Sequence, residues 1–583
     1  MGVRLIVATI ALLALGTAAP TIRAQTPLDS GDTACRGLTR LAATVLGDPT
    51  AAITEARSVA AGARIGGRDG DTPLPAHCDL FGKLEERTGA NGQHYRIRFH
   101  MRLPADWNGR FFFGGGGGSN GVVGNGAGTL LGGQPATALN FGFATVTQDS
   151  GHDNALNDDP KRQGTATFGW DARARRNYGF ASIGTVTHAA KAIIRAYYGK
   201  PAAFSYFVGG SKGGQEAFMA AQRFGREFDG VLAGYPGFRL ATAATAGEMW
   251  DDQAFAAAAR AMGGVDADGL PLLGRAFSDP DLALAQQAVL DACDTIDGLR
   301  DGMVLAFSRC TTARVRPALA RITCKGAKLP SCLMSVQVRA LVRVFEGARD
   351  ARGRLLYATW QWDSGIGGRV GDDYFRGWRD WKIGGATSPV NNARNVTLAV
   401  GTVSSVFTSP PTPLADTPAD YTHYALGLDV ARAEAASRVK WGAFNEAAVD
   451  FMNADSVDLK AFKQHGGKLL IFHGVSDPVF SIHDTIDWLE RVDRVEGGKA
   501  SRFVRLFPVP GMNHGGGGPS TDQADFFGAL VAWTERNEAP ERFVATARAG
   551  TAWPGRTRLL CAFPRQAFYV GGDTEQAASF TCR

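Results

Sequence analysis

Residues 204–224 have the sequence FSYFVGGSKGGQEAFMAAQRF, which predicts a strand, a tight turn and a helix. The strand covers Phe204–Val208 and the helix covers Gly213–Phe224. The turn between them, GGSKG at 209–213, matches the pattern G-x-S-x-G. In that pattern the serine stands in a strained turn that only small neighbours permit, and the following helix N-terminus favours negative charge. Ser211 is therefore the candidate nucleophile.

A serine nucleophile needs a base, and the base needs a group that orients it. Asp477 follows the apolar strand at 469–472, and His514 follows the strand at 504–507. The order Ser, Asp, His, with each residue in a loop after a strand, belongs to the same elbow motif. The sequence predicts that His514 takes the proton of Ser211 and that Asp477 holds the imidazole in the correct tautomer.

Two alternative sets of partners stay open. His473 lies at a strand end close to Asp477 and is a rival base, although that position favours a structural role. His152 and Asp149 form a second acid–base pair, for which the sequence favours a place in the lining of the site.

Acyl transfer passes through an oxyanion that needs two N–H donors already in place. One donor is expected to be the amide of Lys212, the residue after the nucleophile. The other is expected from the glycine run 114–118 after an early strand, with Gly117 as the candidate to within two residues. A phosphate-binding loop is excluded because no G-K-[ST] follows these glycines.

Strands and helices alternate on both sides of the turn, which predicts an α/β fold with a parallel sheet covered by helices on both faces. The predicted strands are 110–113, 143–147, 204–208, 228–233, 468–473 and 503–508, and the predicted helices are 178–198, 213–224, 482–495 and 523–537. The rhythm is lost between these two blocks. We therefore predict a core at 25–235, an inserted lid domain at 236–456 and the second part of the core at 457–583.

The inserted segment is predicted to enter the fold just above the nucleophile and is expected to shape the pocket. Its aromatic residues could stack on an aromatic substrate or could form the core of the lid itself; these are Trp360, Trp362, Trp378, Trp381 and Phe407. Arg394 could pair with a substrate carboxylate, although the sequence favours a surface or structural role for this arginine.

The chain of 583 residues reads as an exported protein. Arg4 and the apolar run Leu5–Leu15, followed by small residues up to Ala24, are typical of a cleaved signal peptide at 1–24. The 8 cysteines favour disulfides, and proximity in sequence suggests the pairs 35–78, 293–310, 324–332 and 561–582. The balanced net charge of +6 argues against nucleic acid, and no later apolar run reaches the length of a membrane span.

A loop of the lid carries clustered carboxylates. Asp294, Asp297 and Asp301 lie within one short run that contains two Asp-Gly turns. Carboxylates at this spacing repel each other unless a cation neutralises them, and hard oxygen ligands suit Ca²⁺. The carbonyls of Leu299 and Met303 would complete a structural calcium site; a solvated acidic turn is the alternative.

Several motifs together resemble the tannase and feruloyl esterase family, which includes bacterial mono(2-hydroxyethyl) terephthalate hydrolases. The matching stretches are YFVGGSKGGQ at 206–215, AAQRF at 220–224, FDGVLAG at 228–234, the acidic loop at 294–303 and VPGMNH at 509–514. The resemblance implies an α/β-hydrolase core with a calcium-bearing lid. It places the triad on Ser211, Asp477 and His514, and the calcium ligands on Asp294, Asp297, Leu299, Asp301 and Met303.

One departure from that family concerns two cysteines. The family usually has a disulfide between the residue before the serine and the residue after the histidine, and here these positions are Gly210 and Gly515. The 8 cysteines that are present match the remaining bridges of the family.

The sequence predicts a secreted or periplasmic serine esterase that acts on a small aromatic ester of feruloyl, galloyl or phthalate type. The alternative is a catalytically weak, calcium-stabilised binding protein on the same scaffold. An exported peptidase is disfavoured because the sequence has no propeller or other peptide-gating repeat.

Overall fold

The computed structural model describes residues 28–65, 72–367 and 377–583. Its strands are β1 (Ala52–Val59), β2 (His77–Thr88), β3 (His94–Pro104), β4 (Arg110–Gly114), β5 (Ala144–Gln148), β6 (Phe204–Gly210), β7 (Gly230–Gly234), β8 (Lys468–Gly474), β9 (Val504–Val509), β10 (Thr521–Gln523), β11 (Arg542–Ala547), β12 (Thr557–Cys561), β13 (Ala567–Tyr569) and β14 (Phe580–Cys582).

The α-helices of the described chain are α1 (Leu28–Gly37), α2 (Ala172–Arg176), α3 (Ser182–Tyr198), α4 (Lys212–Arg223), α5 (Leu240–Thr242), α6 (Met249–Ala261), α7 (Asp279–Cys293), α8 (Thr312–Arg321), α9 (Ser335–Phe345), α10 (Val400–Ser405), α11 (Pro418–Gly427), α12 (Val430–Ala436), α13 (Ala448–Met452), α14 (Lys460–Gln464), α15 (Ile482–Val495) and α16 (Phe526–Arg536). Four π-helical turns adjoin this set, at Asn177–Ala181, Ala243–Glu248, Arg379–Ile383 and Asn395–Ala399.

A nine-stranded mixed sheet has the order β1-β2-β3-β5-β4-β6-β7-β8-β9. The strands from β5 to β9 in this order pair in parallel, as the sequence predicts. The first part of the sheet contradicts the prediction, because β1, β2, β3 and β5 pair antiparallel. The reason lies in residues 94–103, where every second residue is apolar and buried, a pattern typical of a half-buried antiparallel strand.

Both faces of the parallel part are buried, which explains why its strands are almost continuously apolar. In β4, Phe111 and Phe113 pack on one face, which is covered by α3, α4 and α15, and Phe112 packs on the other, which is covered by α16. The hydrophobic core therefore consists of two layers with the parallel strands between them, and the fold is of the α/β-hydrolase class.

Between β7 and β8 the chain leaves the sheet and forms helices α5–α14, and the two flanking strands pair directly with each other. Within its described residues this long connection adds no strand to the nine-stranded sheet. The domain limits at 236 and 456 stay a prediction. The small sheets formed by β10–β12 and by β13 and β14 were not foreseen from the sequence.

Four disulfide bonds join Cys35 to Cys78, Cys293 to Cys310, Cys324 to Cys332 and Cys561 to Cys582, which confirms the predicted pairing. Across the described ranges, no helix combines the length and the apolar character needed to cross a bilayer. The predicted signal peptide at 1–24 lies outside the described residues.

Candidate active site

Ser211 stands at the sharp turn from β6 into α4. Its backbone has φ +61° and ψ −122°, a strained conformation for a residue with a side chain. The turn closes so tightly that a Cβ at Gly209 would lie 2.2 Å from the carbonyl oxygen of Gly213, and a Cβ at Gly213 would lie 2.5 Å from that of Gly116. The Ser211 N–H donates to the Gly234 carbonyl at 3.0 Å, which fixes the turn to β7.

The structure brings the three predicted side chains together. His514 Nε2 lies 2.8 Å from Ser211 Oγ, and His514 Nδ1 lies 2.9 Å and 3.1 Å from the two carboxylate oxygens of Asp477. They meet because the carboxyl ends of the parallel strands β6, β8 and β9 share one edge of the sheet. This arrangement can pass a proton from a hydroxyl to an imidazole whose cationic form faces a carboxylate.

Asp477 is buried and ionised. Burial raises the pKa of its carboxyl, but the charge of His514 and hydrogen bonds from His473 and His514 outweigh burial and hold the pKa well below its ordinary value. The N–H groups of Val479 and Phe480 also donate to Asp477, at 2.8 Å and 3.1 Å. A carboxylate with this many donors keeps one orientation.

The rival base His473 supports Asp477 and does not line the cavity. Its Nδ1 lies 2.9 Å from Thr485 Oγ1, and its Nε2 lies 3.0 Å from the Phe480 carbonyl oxygen and 3.4 Å from Asp477. The side chain is fully buried among these partners, in agreement with a structural role.

The rival pair His152 and Asp149 is also absent from the cavity wall, contrary to the expectation that these residues line it. The His152 ring is buried and stacks on Phe168 with centroids 3.9 Å apart, and Asp149 forms an ion pair with Arg98 at 2.7 Å. Both side chains follow β5, whose loop packs into the core and not into the pocket.

The glycine loop after β4 lies beside the nucleophile. The Gly115 N–H donates to the Val208 carbonyl at 2.8 Å and the Gly116 N–H donates to Glu216 at 2.8 Å. In the described structure, the N–H groups of Gly117 and Lys212 donate to no other group, and both residues line the cavity. These two amides therefore have the properties of oxyanion donors.

Glu216 is a buried carboxylate beneath this loop and is not among the residues predicted from the sequence. Besides Gly116 N–H it accepts from Asn120 Nδ2 at 2.8 Å and from Lys212 Nζ at 2.9 Å. The side chain of Lys212 is buried too, with its ammonium 4.6 Å from the centroid of the Tyr178 ring. The spacing of Lys212 and Glu216 by four residues on one helix is a signal that could have revealed the pair.

The Ser211 hydroxyl opens into a cavity of about 500 Å³. Of the five predicted lid aromatics, Trp381 lines it, with its ring edge-on to the His514 imidazole at 5.0 Å. The other four, Trp360, Trp362, Trp378 and Phe407, are buried in the main hydrophobic core and do not line the cavity. Arg394 also lines the cavity, with its guanidinium carbon 5.1 Å from the centroid of the Trp381 ring.

The acidic loop has oxygen donors that suit calcium. The carboxylates of Asp294 and Asp297 are buried, accept only backbone N–H groups, and form no ion pair with a Lys or Arg of the described chain. Burial raises the pKa of Asp297 to about 7, and the charges of Asp301 and Asp294 act in the same direction. A cation would balance this charge, so the donor chemistry fits the predicted ion.

Asp301 differs from its two neighbours because it already has cationic partners. Its carboxylate contacts the guanidinium of Arg558, and its carbonyl accepts from Arg556 at 2.7 Å. Where side chains are described, no three His, Cys, Asp or Glu residues are grouped as a metal-ion ligand set. The calcium site therefore stays a prediction.

A second group of buried acids lies on the helical segment at 248–252 beside the cavity, and none of its members is among the residues predicted from the sequence. Glu248, Asp251 and Asp252 lie on one helical face, and Lys382 pairs with Asp251. Burial raises the pKa of Glu248 to about 8, against the opposing effect of Lys382 and with the support of Asp251. Glu248 also lines the cavity, so a carboxyl whose pKa is raised by burial faces the pocket.

Replacing Glu248 with glutamine is expected to change how stability depends on pH. In the unfolded chain Glu248 loses its proton near its ordinary pKa of 4.5, and in the native protein it keeps the proton to about pH 8. Between these two pH values the native state binds more protons than the unfolded chain does. The free energy of unfolding therefore falls as pH rises, by about a few kcal/mol over the whole interval. The melting temperature of Glu248→Gln should exceed that of the wild type at pH 8.5, and the difference should shrink toward pH 5.

The solvent-exposed Glu490 offers a matched control for this measurement. Glu490→Gln should leave the melting curve unchanged at both pH values. A wild type and a Glu248→Gln variant with parallel melting temperatures from pH 5 to pH 8.5 would show that Glu248 is ionised in the native protein.

Comparison with known proteins adds independent findings. The family model described as tannase and feruloyl esterase matches residues 78–583. A mono(2-hydroxyethyl) terephthalate hydrolase from Piscinibacter sakaiensis is 43% identical over 528 residues, covering 87% of this chain and 85% of that protein.

Two solved structures share the fold. An esterase from Aspergillus oryzae has a TM-score of 0.71 at 22% identity, covering 95% of this chain and 100% of the other. Feruloyl esterase B from Aspergillus oryzae has a TM-score of 0.66 at 21% identity, with 91% and 97% covered.

These findings favour an enzyme over the binding protein that the sequence left as the alternative. The family match extends over most of the chain, and the relative that is 43% identical is named as a hydrolase. The chain belongs to the tannase and feruloyl esterase family and is a carboxylic ester hydrolase.

Proposed function

We propose that this chain is an exported serine esterase that hydrolyses aromatic carboxylic esters through an acyl-enzyme. One observation carries the proposal: Ser211 Oγ lies 2.8 Å from His514 Nε2 inside a cavity lined by Trp381, Tyr235 and Phe480. The aromatic walls suit a planar acyl group, and the hydroxyl has a base within hydrogen-bond reach.

The reaction follows from the contacts. His514 takes the proton of Ser211 while Oγ attacks the ester carbonyl carbon, and Asp477 stabilises the imidazolium that forms. The N–H groups of Lys212 and Gly117 stabilise the oxyanion. His514 then gives its proton to the leaving alcohol. Water, deprotonated by His514, attacks the acyl-enzyme, and the acid leaves as Ser211 regains its proton.

For the substrate we propose an aromatic monoester that also carries a free carboxylate. Arg394 supports this proposal because it lines the cavity beside Trp381, which itself contacts His514. An arginine can hold a carboxylate with two parallel hydrogen bonds. The relative that acts on a terephthalate monoester, by its name, agrees with such a substrate.

Arg394→Ala is expected to lower kcat/KM for a terephthalate monoester by 10- to 100-fold, on the order of one charge-assisted hydrogen-bond pair. Methyl ferulate and methyl gallate, which have no carboxylate, should change by less than about threefold on that basis. Initial rates on the three esters test this, with Arg394→Lys as the variant that keeps charge without the planar fork. If kcat/KM fell equally on all three substrates, Arg394 would not bind the substrate carboxylate.

The proposed export is supported by the four disulfide bonds, which persist in oxidising compartments and are rare in the cytosol. A periplasmic and an extracellular location both agree with these bonds.

We further propose that Asp294, Asp297, Asp301 and the carbonyls of Leu299 and Met303 hold a structural calcium ion. The ion would neutralise the buried carboxylates of the loop that begins at the disulfide Cys293–Cys310. Its role would be stability, because none of these residues lines the cavity of Ser211.

Calcium chelation should therefore lower the melting temperature without a specific effect on the chemical step. An ion present at 100 times its Kd stabilises by about 2.7 kcal/mol, which corresponds to roughly 2 °C for a chain of this size. Differential scanning fluorimetry with EGTA, and then with excess Ca²⁺, measures the loss and its recovery. Asp297→Asn should melt lower and respond less to EGTA. If EGTA leaves the melting temperature of the wild type unchanged, the protein holds no structural calcium ion.

A further inference from the structure

The space next to the nucleophile is filled by Tyr235. A Cβ placed on Gly210, the residue before Ser211, would lie 2.3 Å from Tyr235 Oη and 2.4 Å from Cζ. Atoms that are not bonded do not approach so closely, so the tyrosine ring occupies the place that any side chain at 210 would need. Glycine at 210 is thus a condition for the position of Tyr235.

The same ring contacts the base. The Tyr235 and His514 rings meet edge to face, with centroids 5.1 Å apart and an angle of 75° between their planes. Edge-to-face contact is a favourable arrangement for two such rings. Trp381 and Phe480 enclose the imidazole from other sides, at 5.0 Å and 5.5 Å. Tyr235 differs from these two because it also covers Gly210.

The backbone holds Tyr235 firmly in this place. Its φ of +34° is in the left-handed region, which is unfavourable for an aromatic residue and persists only where the surroundings enforce it. Its N–H donates to the Phe472 carbonyl at 2.7 Å, and its ring packs edge to face on the Phe472 ring at 5.8 Å. The residue is therefore fixed to β8, the strand that also leads to Asp477.

We propose that Tyr235 is a positioning residue that sets the distance between Ser211 and His514 by packing its ring against both Gly210 and the imidazole. The inference rests on the proposed function of Ser211 and His514.

Four variants test this inference by a double-mutant cycle: Tyr235→Ala, Gly210→Ala, the two combined, and Tyr235→Phe. Tyr235→Ala should lower kcat by 10- to 100-fold with a smaller change in KM, because a displacement of about 1 Å costs on the order of 100-fold in rate. Gly210→Ala should lower kcat as well, since its methyl group pushes the ring aside. Tyr235→Phe keeps the ring and should stay within about fivefold of the wild type, the scale of one neutral hydrogen bond.

The combined variant gives the decisive value. If Gly210→Ala acts by displacing the Tyr235 ring, it should cause no further loss of kcat in a protein that lacks this ring. The double variant should then have the same kcat as Tyr235→Ala. The proposal would be overturned if the loss of kcat in the double variant equalled the product of the two single losses. It would also be overturned if Tyr235→Ala left kcat unchanged.

Labelling with a fluorophosphonate separates positioning from damage to the fold. Tyr235→Ala should label Ser211 more slowly, by about the factor lost in kcat, and reach the same final stoichiometry as the wild type. A normal rate with a reduced end point would mean that part of the protein is misfolded and would contradict positioning. A wild type that does not label at Ser211 would instead reject the proposed function, which distinguishes the two failures.

Discussion

Replacing Ser211 with alanine is expected to lower the turnover of a short aryl or cinnamoyl ester by about 10⁴- to 10⁶-fold. In the proposed mechanism the hydroxyl of Ser211 forms the covalent bond to the acyl group, and alanine offers no atom that could form it. The residual rate should come from the Lys212 and Gly117 amides and from substrate binding, which do not depend on Oγ. Steady-state kinetics on purified protein measures the loss.

The fold should survive this change. Alanine keeps the Cβ and removes only the hydroxyl, so the strain at φ +61° is unchanged and the contact with Gly234 is made by the backbone. The melting temperature should stay within about 2 °C of the wild type, as expected for a change that opens no core cavity. Ser501→Ala, at an exposed serine, is the matched control and should retain full activity. A Ser211→Ala variant with substantial turnover would reject the assigned nucleophile.

Replacing Asp477 with asparagine is expected to lower kcat by about 10³- to 10⁴-fold. The amide nearly matches the carboxylate in shape, but it carries no charge to stabilise the imidazolium, and its NH₂ group favours the wrong imidazole tautomer. The Val479 and Phe480 amides, which donate to Asp477, would keep an oxygen of the new side chain in place. The loss should therefore appear in kcat, with KM changed much less.

His473 provides the comparison for this second prediction. Because its ring is enclosed by Thr485 and Phe480, His473→Asn should lower the melting temperature and retain most of the turnover of the folded fraction. His514→Ala should lose activity on the scale of Ser211→Ala. If His473→Asn abolished turnover in well-folded protein while His514→Ala retained it, the assignment of the base would be reversed.

The positions of Ser211, Asp477 and His514 at one edge of the sheet could be predicted because each residue is encoded locally. The glycines at 209, 210 and 213 indicate the tight turn, and Asp477 and His514 each follow an apolar segment typical of a strand. Parallel strands then bring the three loops to one edge of the sheet, so sequence order is enough to infer that they converge.

The rest depends on contacts between distant parts of the chain. Glu216 accepts a hydrogen bond from the N–H of Gly116, which lies 100 positions away, and no local sequence pattern predicts that contact. Trp381 enters the cavity while Trp378 is buried beside Phe345, although both lie in one short stretch of the lid. The packing of the lid decides between them, and composition alone gives no preference.

The antiparallel half of the sheet was missed for a different reason. Residues 94–103 alternate between apolar and polar side chains, which is typical of a half-buried strand. The stronger helix and strand patterns that follow indicate only alternating strands and helices, as in a parallel sheet. The alternation of buried apolar residues with polar residues in 94–103 is the local signal of this antiparallel strand.

The most direct test of the central claim is the mass of the protein after brief reaction with a fluorophosphonate or with a slowly hydrolysed aryl ester. The account predicts a single covalent adduct, found by peptide mapping on Ser211 and absent from the Ser211→Ala and His514→Ala variants. An enzyme that turns over ester while Ser211 stays unmodified, or that carries its adduct on another residue, would contradict it.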